Sequence, residues 1–180
     1  DALISLAGPA NKQGRIIAHN ICGGDSRYLG SQGSSVIKVF DMTAATTGIN
    51  ETNAKKSGLE VDTVILSPMS HAGYYPGGKV MTMKVVFEKE TYRLLGAQII
   101  GYEGVDKRID VLATAIHAGL KATQLKDLDL AYAPPYSSAK DPVNMAGFMI
   151  DNIAKGTLKQ WHLEDMDKIS KDKSAVLLDV

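Results

Sequence analysis

Two strands joined by a short turn are the clearest feature of the hydrophobic pattern. Apolar residues occupy every second position from Met81 to Phe87, and the polar Thr82 and the charged Lys84 lie on the other face. After a polar turn, residues 93–101 return with a similar alternation. The apolar positions of this second run are Leu95, Ala97 and Ile99. Because a period of two is typical of a strand with one buried face, the pattern predicts an antiparallel hairpin.

Further strands and a helix are predicted upstream of this hairpin. Residues 35–40 and 61–66 are rich in β-branched and aromatic side chains, which favours strands. Between them, Asp41 or Thr43 is an N-cap candidate for a helix that runs to Lys56. Near the N-terminus, apolar residues at helical spacing predict another helix, which Gly23 and Gly24 end. The apolar-face positions of that helix are Ala10, Gln13, Ile17, Ala18 and Ile21.

The second half of the chain carries two more helices. Ile109, Leu112 and Ile116 form an apolar stripe at a spacing of three and four residues. The other helix has the clearer start, because Asp141 is an N-cap candidate and Pro142 suits the first helical position. Gly156 follows its last turn. Together with the hairpin, these helices predict an α+β fold, an antiparallel sheet with helices packed on one face.

Composition excludes several classes of function. The chain has 180 residues, 44% of them hydrophobic, and a formal net charge of zero, which gives no electrostatic preference for nucleic acid or an anionic membrane. A run of about 18 apolar residues, which a transmembrane helix needs, is absent from the sequence. The single cysteine, Cys22, has no intramolecular disulfide partner, which fits a cytoplasmic protein.

Four tyrosines lie in Gly- and Pro-containing loops. Tyr132 and Tyr136 flank a Pro-Pro turn just before the Asp141 helix, and Tyr74 and Tyr75 lie in the segment SHAGYYPGG at 70–78. Such phenols either form a site or pack as an aromatic corner, and the residues alone leave both open. His71 in the same loop is predicted to be a hydrogen-bonded loop residue. Neither a second His nor a Cys lies near it at metal-ligand spacing, so no metal site is predicted.

Three segments resemble a known family. YAPPYSSAKDP at 132–142, HAGYYPG at 71–77 and LAGPANKQGRIIAHNI at 6–21 are similar to sequences of the flavin-dependent pyridine nucleotide–disulfide oxidoreductases. The nearest branch is that of coenzyme A disulfide reductase and the related NADH oxidases and peroxidases. The resemblance implies that most of the chain is the C-terminal dimerisation domain of such an enzyme.

The resemblance also implies roles for particular residues. In this branch, tyrosines from the two loops approach the redox cysteine of the other subunit, which indicates Tyr74 and Tyr132, with Tyr75 and Tyr136 as alternatives. The helix N-terminus at Leu6, Ala7 and Gly8 corresponds to the one that faces the flavin, where its positive end stabilises negative charge. Without the resemblance, an amphipathic helix packed on a sheet is the simpler interpretation.

Three segments are expected along the chain. Residues 1–27 resemble the last part of an FAD-binding domain, 28–155 the dimerisation domain, and 156–180 a linker and the first strand, AVLLDV, of a rhodanese-like domain. The GxGxxG motifs for FAD and for NAD(P)H are absent. The remnant at 1–27 is therefore expected to be poorly ordered or docked on a neighbouring chain, and the 180 residues alone are expected to be inactive.

The implied activity belongs to the parent protein. It is expected to be a homodimer that uses FAD and NAD(P)H to reduce coenzyme A disulfide or a polysulfide. Two alternatives stay open: an NADH oxidase or peroxidase of the same family, and a non-catalytic assembly module.

Overall fold

The computed structural model of the chain describes residues 4–174, 176 and 178. Five strands and five α-helices are assigned within this part, and 3₁₀ helices lie at Ala122–Asp127 and Leu163–Asp165. The strands are β1 (Ser35–Val39), β2 (Met42–Gly48), β3 (Val61–Leu66), β4 (Met81–Glu88) and β5 (Leu94–Gly101). The helices are α1 (Ala7–Ile21), α2 (Glu51–Lys56), α3 (Val105–His117), α4 (Pro142–Ala154) and α5 (Met166–Ile169).

All five strands form one antiparallel sheet in the order β1-β2-β5-β4-β3. The predicted hairpin is confirmed as β4 and β5, with Val85 opposite Ala97 and Met83 opposite Ile99. The other strand of this central group, β2, pairs with β5 and connects β1 to it. The α+β fold predicted from the sequence is therefore confirmed.

The main core lies between one face of the sheet and helices α3 and α4. Met83, Val85 and Ile99 from the sheet pack with Leu112 of α3 and Ile150 of α4, and each is at least 98% buried. Burying each of these side chains contributes roughly 1.5–3 kcal/mol to folding. The same core orients the loops that follow β3 and precede α4.

The helix predicted from Asp41 or Thr43 to Lys56 is wrong over its first half. Residues 42–48 form β2 instead, and the tight turn before it holds Phe40 at a positive φ of 53°. The true helix is only α2, whose N-cap is Asn50, with a side chain that accepts a hydrogen bond from the Asn53 N–H. Thr46 and Thr47 favour a strand because β-branched side chains restrict χ1 in a helix.

The predicted inward face of β5 is wrong at one position. The strand register shifts between Val86 and Phe87, so that Leu94 rather than Leu95 joins the main core. Leu95 instead packs against a small second cluster that contains Ala54 of α2 and Val86. Because neighbouring strand residues point to opposite faces, this cluster lies on the side of the sheet away from α3.

The predicted start and end of α4 are confirmed. The Asp141 side chain accepts a hydrogen bond from the Val143 N–H, and Pro142 takes the first helical position. Gly156 follows the last turn with a φ of 71°, a conformation that glycine adopts without the steric cost of a Cβ. The helix axis is thereby fixed at both ends.

Burial is confined to the middle of the chain. Within the described part, the first buried residue is Ala45 and the last is Ile150. Helix α1 has no buried residue, and the segment after α4 is held on β3 mainly by polar contacts: Gln160 donates to the Thr63 carbonyl, and His162 Nε2 lies 3.0 Å from Asp62 Oδ1. The strand predicted at 175–180 falls largely outside the described residues.

Candidate functional site

Two of the four loop tyrosines meet. The hydroxyl oxygens of Tyr74 and Tyr132 lie 2.9 Å apart, within hydrogen-bond distance, although 58 residues separate them in the chain. Both side chains are accessible, with 77% of Tyr74 and 47% of Tyr132 exposed. The phenols therefore form a pair at the surface rather than a buried aromatic corner.

The remaining two tyrosines lie nearby but make different contacts. The Tyr75 ring stands edge-on to the His71 ring, with centroids 5.6 Å apart and an interplanar angle of 80°. The Tyr136 side chain is 72% exposed, whereas its backbone takes part in the Pro-Pro turn through a hydrogen bond from its N–H to the Ala133 carbonyl. Neither hydroxyl joins the Tyr74–Tyr132 pair.

His71 is a hydrogen-bonded loop residue, as predicted, and it is also buried. Only 4% of it is exposed, and its Nδ1 lies 3.1 Å from the Ala72 carbonyl oxygen. The ring packs inside the loop, next to Tyr75 and Gly78. In the part of the chain that the structure describes, no group of three His, Cys, Asp or Glu side chains could hold a metal ion.

The loop that carries Tyr74 (the first loop) and the loop that carries Tyr132 (the second loop) are also joined through the backbone. The Ala72 N–H donates to the Ser137 carbonyl at 2.9 Å, and the Ser70 N–H donates to the Lys79 carbonyl at the base of its own loop. One of these bonds lies between the loops, and the other closes the first loop. The separation of Tyr74 and Tyr132 is therefore constrained by backbone hydrogen bonds as well as by the contact between the hydroxyls.

A buried arginine lies behind both loops. Arg108 of α3 is 1% exposed, and its guanidinium contacts Asp141 Oδ2 through Nε at 3.2 Å and Nη2 at 2.9 Å. Nη2 also lies 2.9 Å from the carbonyl oxygen of Ser70, in the first loop. In the second loop it lies 3.3 Å from the Tyr136 carbonyl oxygen and 3.2 Å from Ser137 Oγ.

Asp141 accepts from several donors at once. Beside capping α4 and bonding Arg108, it receives the Ser137 hydroxyl at 2.7 Å. Burial by itself would raise the pKa of Asp141, but the hydrogen bonds from Ser137, the Val143 N–H and Arg108 outweigh it and hold the pKa below its usual range. The carboxylate therefore stays charged opposite Arg108 at neutral pH.

The hydroxyl pair has a definite chemical consequence. The hydrogen bond with Tyr74 raises the pKa of Tyr132 above that of an ordinary phenol, and partial desolvation acts in the same direction. The Tyr132 phenol is therefore protonated at pH 7. One O–H lies within the pair, which leaves the other O–H able to donate to an acceptor outside the chain.

The predicted flavin-facing residues lie near the start of the chain, at the N-terminus of α1. Helix α1 begins at Ala7 after the extended residue Leu6, and no side chain caps it. The first N–H groups of a helix have no intrahelical acceptor, so this end can accept negative charge. None of the helices in the described part of the chain is long and apolar enough to cross a membrane.

Sequence reasoning missed Arg108. Its position is in phase with Leu112 on α3, where the apolar stripe faces the core. An arginine at a core-facing position requires a buried acceptor, because an unpaired buried charge is strongly unfavourable. The position of Arg108 on the apolar stripe of α3 was the sequence signal that it is buried. Its partner, Asp141, was predicted only as a helix cap.

Comparison with known proteins matches most of the chain. A family model described as the pyridine nucleotide-disulphide oxidoreductase dimerisation domain matches residues 34–143. A coenzyme A disulfide reductase of Staphylococcus epidermidis is 38% identical over 148 residues, which cover 82% of this chain and 33% of that protein. The chain thus spans about one third of the length of the curated relatives it matches.

Solved structures share the fold closely. The reduced CoADR-RHD of Bacillus anthracis is 48% identical with a TM-score of 0.90, over 94% of this chain and 31% of that one. An NAD-dependent persulfide reductase from A. fulgidus is 43% identical with a TM-score of 0.87, over 93% and 31%. A water-forming NADH oxidase from Lactobacillus brevis is 25% identical with a TM-score of 0.81, over 87% and 35%.

Proposed function

Because the chain belongs to the pyridine nucleotide-disulphide oxidoreductase family, we propose that it serves as the dimerisation domain of an FAD-dependent NAD(P)H:disulfide oxidoreductase. The proposed substrate is coenzyme A disulfide or a related persulfide or polysulfide. The 2.9 Å contact between the Tyr74 and Tyr132 hydroxyls carries the proposal, because it places two phenol hydroxyls side by side at an accessible surface.

The two phenols act by hydrogen bonding to sulfur across the dimer. In the overall reaction, NAD(P)H supplies a hydride, which carries two electrons and one proton, and solvent supplies a second proton, so that a disulfide becomes two thiols. FAD supplies the route by which those electrons reach the redox cysteine, and both lie outside this chain. The free O–H of the pair donates to the thiolate as it forms, and such a charge-assisted bond contributes roughly 1.5–3 kcal/mol.

The N-terminus of α1 fits a role beside the flavin. Leu6, Ala7 and Gly8 present backbone at a helix end that has no acidic side chain in its first turn and no side-chain cap. The positive end of the helix dipole stabilises an anion placed there. These residues would hold only one edge of the cofactor.

The distribution of buried residues supports the proposed domain limits. All buried residues of the described part lie from Ala45 to Ile150, inside the proposed dimerisation domain at 28–155. Residues 1–27 are proposed to complete an FAD-binding domain and 156–180 to lead into a rhodanese-like domain. The sequence of the whole polypeptide tests both assignments, as a flavin domain before Asp1 is required by the first.

Kinetics of the full-length protein test the tyrosine role. We expect NAD(P)H consumption with coenzyme A disulfide to exceed that with dioxygen or peroxide. Tyr74→Phe together with Tyr132→Phe should slow disulfide turnover about tenfold, which corresponds to one lost hydrogen bond, while flavin reduction by NAD(P)H stays near the original rate. Tyr75→Phe and Tyr136→Phe are the matched controls.

Three results would contradict the proposal. Unchanged disulfide turnover in the double variant removes the tyrosines from the reaction. A preference for dioxygen favours the NADH oxidase alternative. The 25% identity to the Lactobacillus brevis oxidase gives that alternative less support than the 43% and 48% identities give to the proposed function. A monomer by light scattering with no flavin bound would favour the assembly-module alternative or a separate role.

A further inference from the structure

We propose that Arg108 is the positioning residue of the Tyr74–Tyr132 pair: its single guanidinium fixes both tyrosine loops against the start of α4. This inference deepens the proposed function and rests on it for its catalytic meaning. The geometric part stands on the contacts of Arg108 alone.

The hydrogen-bond capacity of Arg108 decides which contacts hold the loops. Nη2 carries two hydrogens but has four acceptors within 3.3 Å. The two shortest contacts, to the Ser70 carbonyl and to Asp141 Oδ2, are both 2.9 Å and take the two hydrogens. Arg108 therefore links the first loop to the carboxylate that caps α4.

The second loop is tied through the same carboxylate. Ser137, one residue after Tyr136, donates its hydroxyl to Asp141 Oδ2 at 2.7 Å. The Ser137 carbonyl in turn accepts the Ala72 N–H from the first loop. Ser70, Ser137 and Asp141 thus converge on Arg108, and each loop reaches its tyrosine within five residues of this point.

Burial makes this arrangement specific to arginine. Arg108 is 1% exposed and Asp141 is 3% exposed. Loss of either partner therefore leaves the other as a buried charge without its close ion-pair partner. Lysine keeps the charge but has one nitrogen, which cannot bond the carboxylate through two N–H groups and reach the Ser70 carbonyl as the planar fork does. The other cation near Asp141, Lys107, is farther away at 3.9 Å and lies partly in solvent.

The test compares Arg108→Gln and Arg108→Lys in the full-length protein with a core variant. Tyrosine ring carbons labelled with ¹³C report the titration of Tyr132, and Tyr74→Phe gives the value for a broken pair. We expect the Tyr132 midpoint in both Arg108 variants to move toward the Tyr74→Phe value. Val85→Ala, in the centre of β4, lowers stability without touching either loop and should leave the midpoint unchanged.

A Tyr132 midpoint equal to the original in Arg108→Lys overturns the inference, as does an equal change in Val85→Ala. Arg108→Lys keeps the test decisive if Arg108→Gln does not fold. Disulfide turnover, measured on the same samples, separates the two proposals. A shifted midpoint with turnover within twofold of the original supports the positioning role and contradicts the catalytic role of the tyrosines.

Discussion

The hydroxyls of Tyr74 and Tyr132 lie 2.9 Å apart and come from two loops that share no strand or helix. This contact raises the pKa of Tyr132. The resemblance to the family indicated these two tyrosines, whereas the residues alone contain no local pattern that selects one partner from each loop.

Removal of Tyr74's hydroxyl should lower the pKa of Tyr132. The pKa of Tyr132 is raised first by its hydrogen bond with Tyr74, and Tyr74→Phe removes that bond while it keeps the ring. Absorbance of the phenolate as pH is raised, or ¹³C NMR of labelled tyrosine, measures the change. Tyr75→Phe is the control, because its ring contacts His71 instead. A Tyr132 pKa that does not fall in Tyr74→Phe would contradict the pairing in solution.

Loss of the Asp141 charge should destabilise the domain by about 3 kcal/mol, since it leaves Arg108 buried without its partner. Asp141→Asn keeps an oxygen that can cap α4, so the effect reports the loss of the ion pair together with the Ser137 hydrogen bond to the same carboxylate oxygen. Urea unfolding measures the free energy. Asp106→Asn, at an exposed position in the first turn of α3, should change it by no more than about 0.5 kcal/mol.

Asp141→Asn should also reduce the dependence of the unfolding free energy on pH in the acid range. The folded-state pKa of Asp141 lies below its unfolded value, so its contribution is complete above the unfolded pKa and is lost as pH falls through the folded one. The loss of unfolding free energy on acidification should therefore be smaller in Asp141→Asn. An identical acid limb in both proteins would show that Asp141 does not contribute this linkage.

The parts of the fold that follow from short-range pattern were predicted from the sequence. The alternation from Met81 to Phe87 gave β4, and the order Asp141-Pro142 gave the start of α4. Both signals act locally, through side-chain periodicity and a cap. The sheet edge was harder, because Ala44 and Ala45 suit a helix as well as a strand. The Asn50 cap, four residues after Thr46, was the local signal that separates β2 from α2.

The candidate site was only partly predictable for a different reason. Each tyrosine was identified from its loop and its resemblance to the family, whereas Arg108 bonds acceptors 33 and 38 residues away. Such contacts depend on how α3 and α4 pack, which periodicity does not specify. Only the apolar phase of Arg108 on α3 indicated that it faces the core.

Close packing of α4 should make Gly147→Ala destabilising. A Cβ at Gly147 would lie 2.2 Å from the Lys126 backbone nitrogen and 2.7 Å from the Leu125 carbonyl carbon, so the 3₁₀ helix would have to move. We expect a loss of about 2 kcal/mol, which exceeds the gain of alanine in a helix. Gly14→Ala in α1 has open space around its Cβ and should leave global unfolding unchanged. Equal stability of the two variants in urea would contradict this packing.

The ion pairs of Glu51 should give α2 a stability that depends on acid. Hydrogen bonds from Lys55 and Lys84 lower the pKa of Glu51 to about 2, against an ordinary value of 4.5. Because the folded pKa is the lower one, the stabilisation is present above pH 4.5 and is lost as pH falls toward about 2. Glu51→Gln should cost about 0.5–1 kcal/mol at pH 7, reduced by solvent screening, and should cost less at pH 3. Glu60→Gln, at an exposed position before β3, is the control. If urea unfolding gives a difference between Glu51→Gln and the original protein that does not depend on pH, the ion pairs of Glu51 are not the source of that difference.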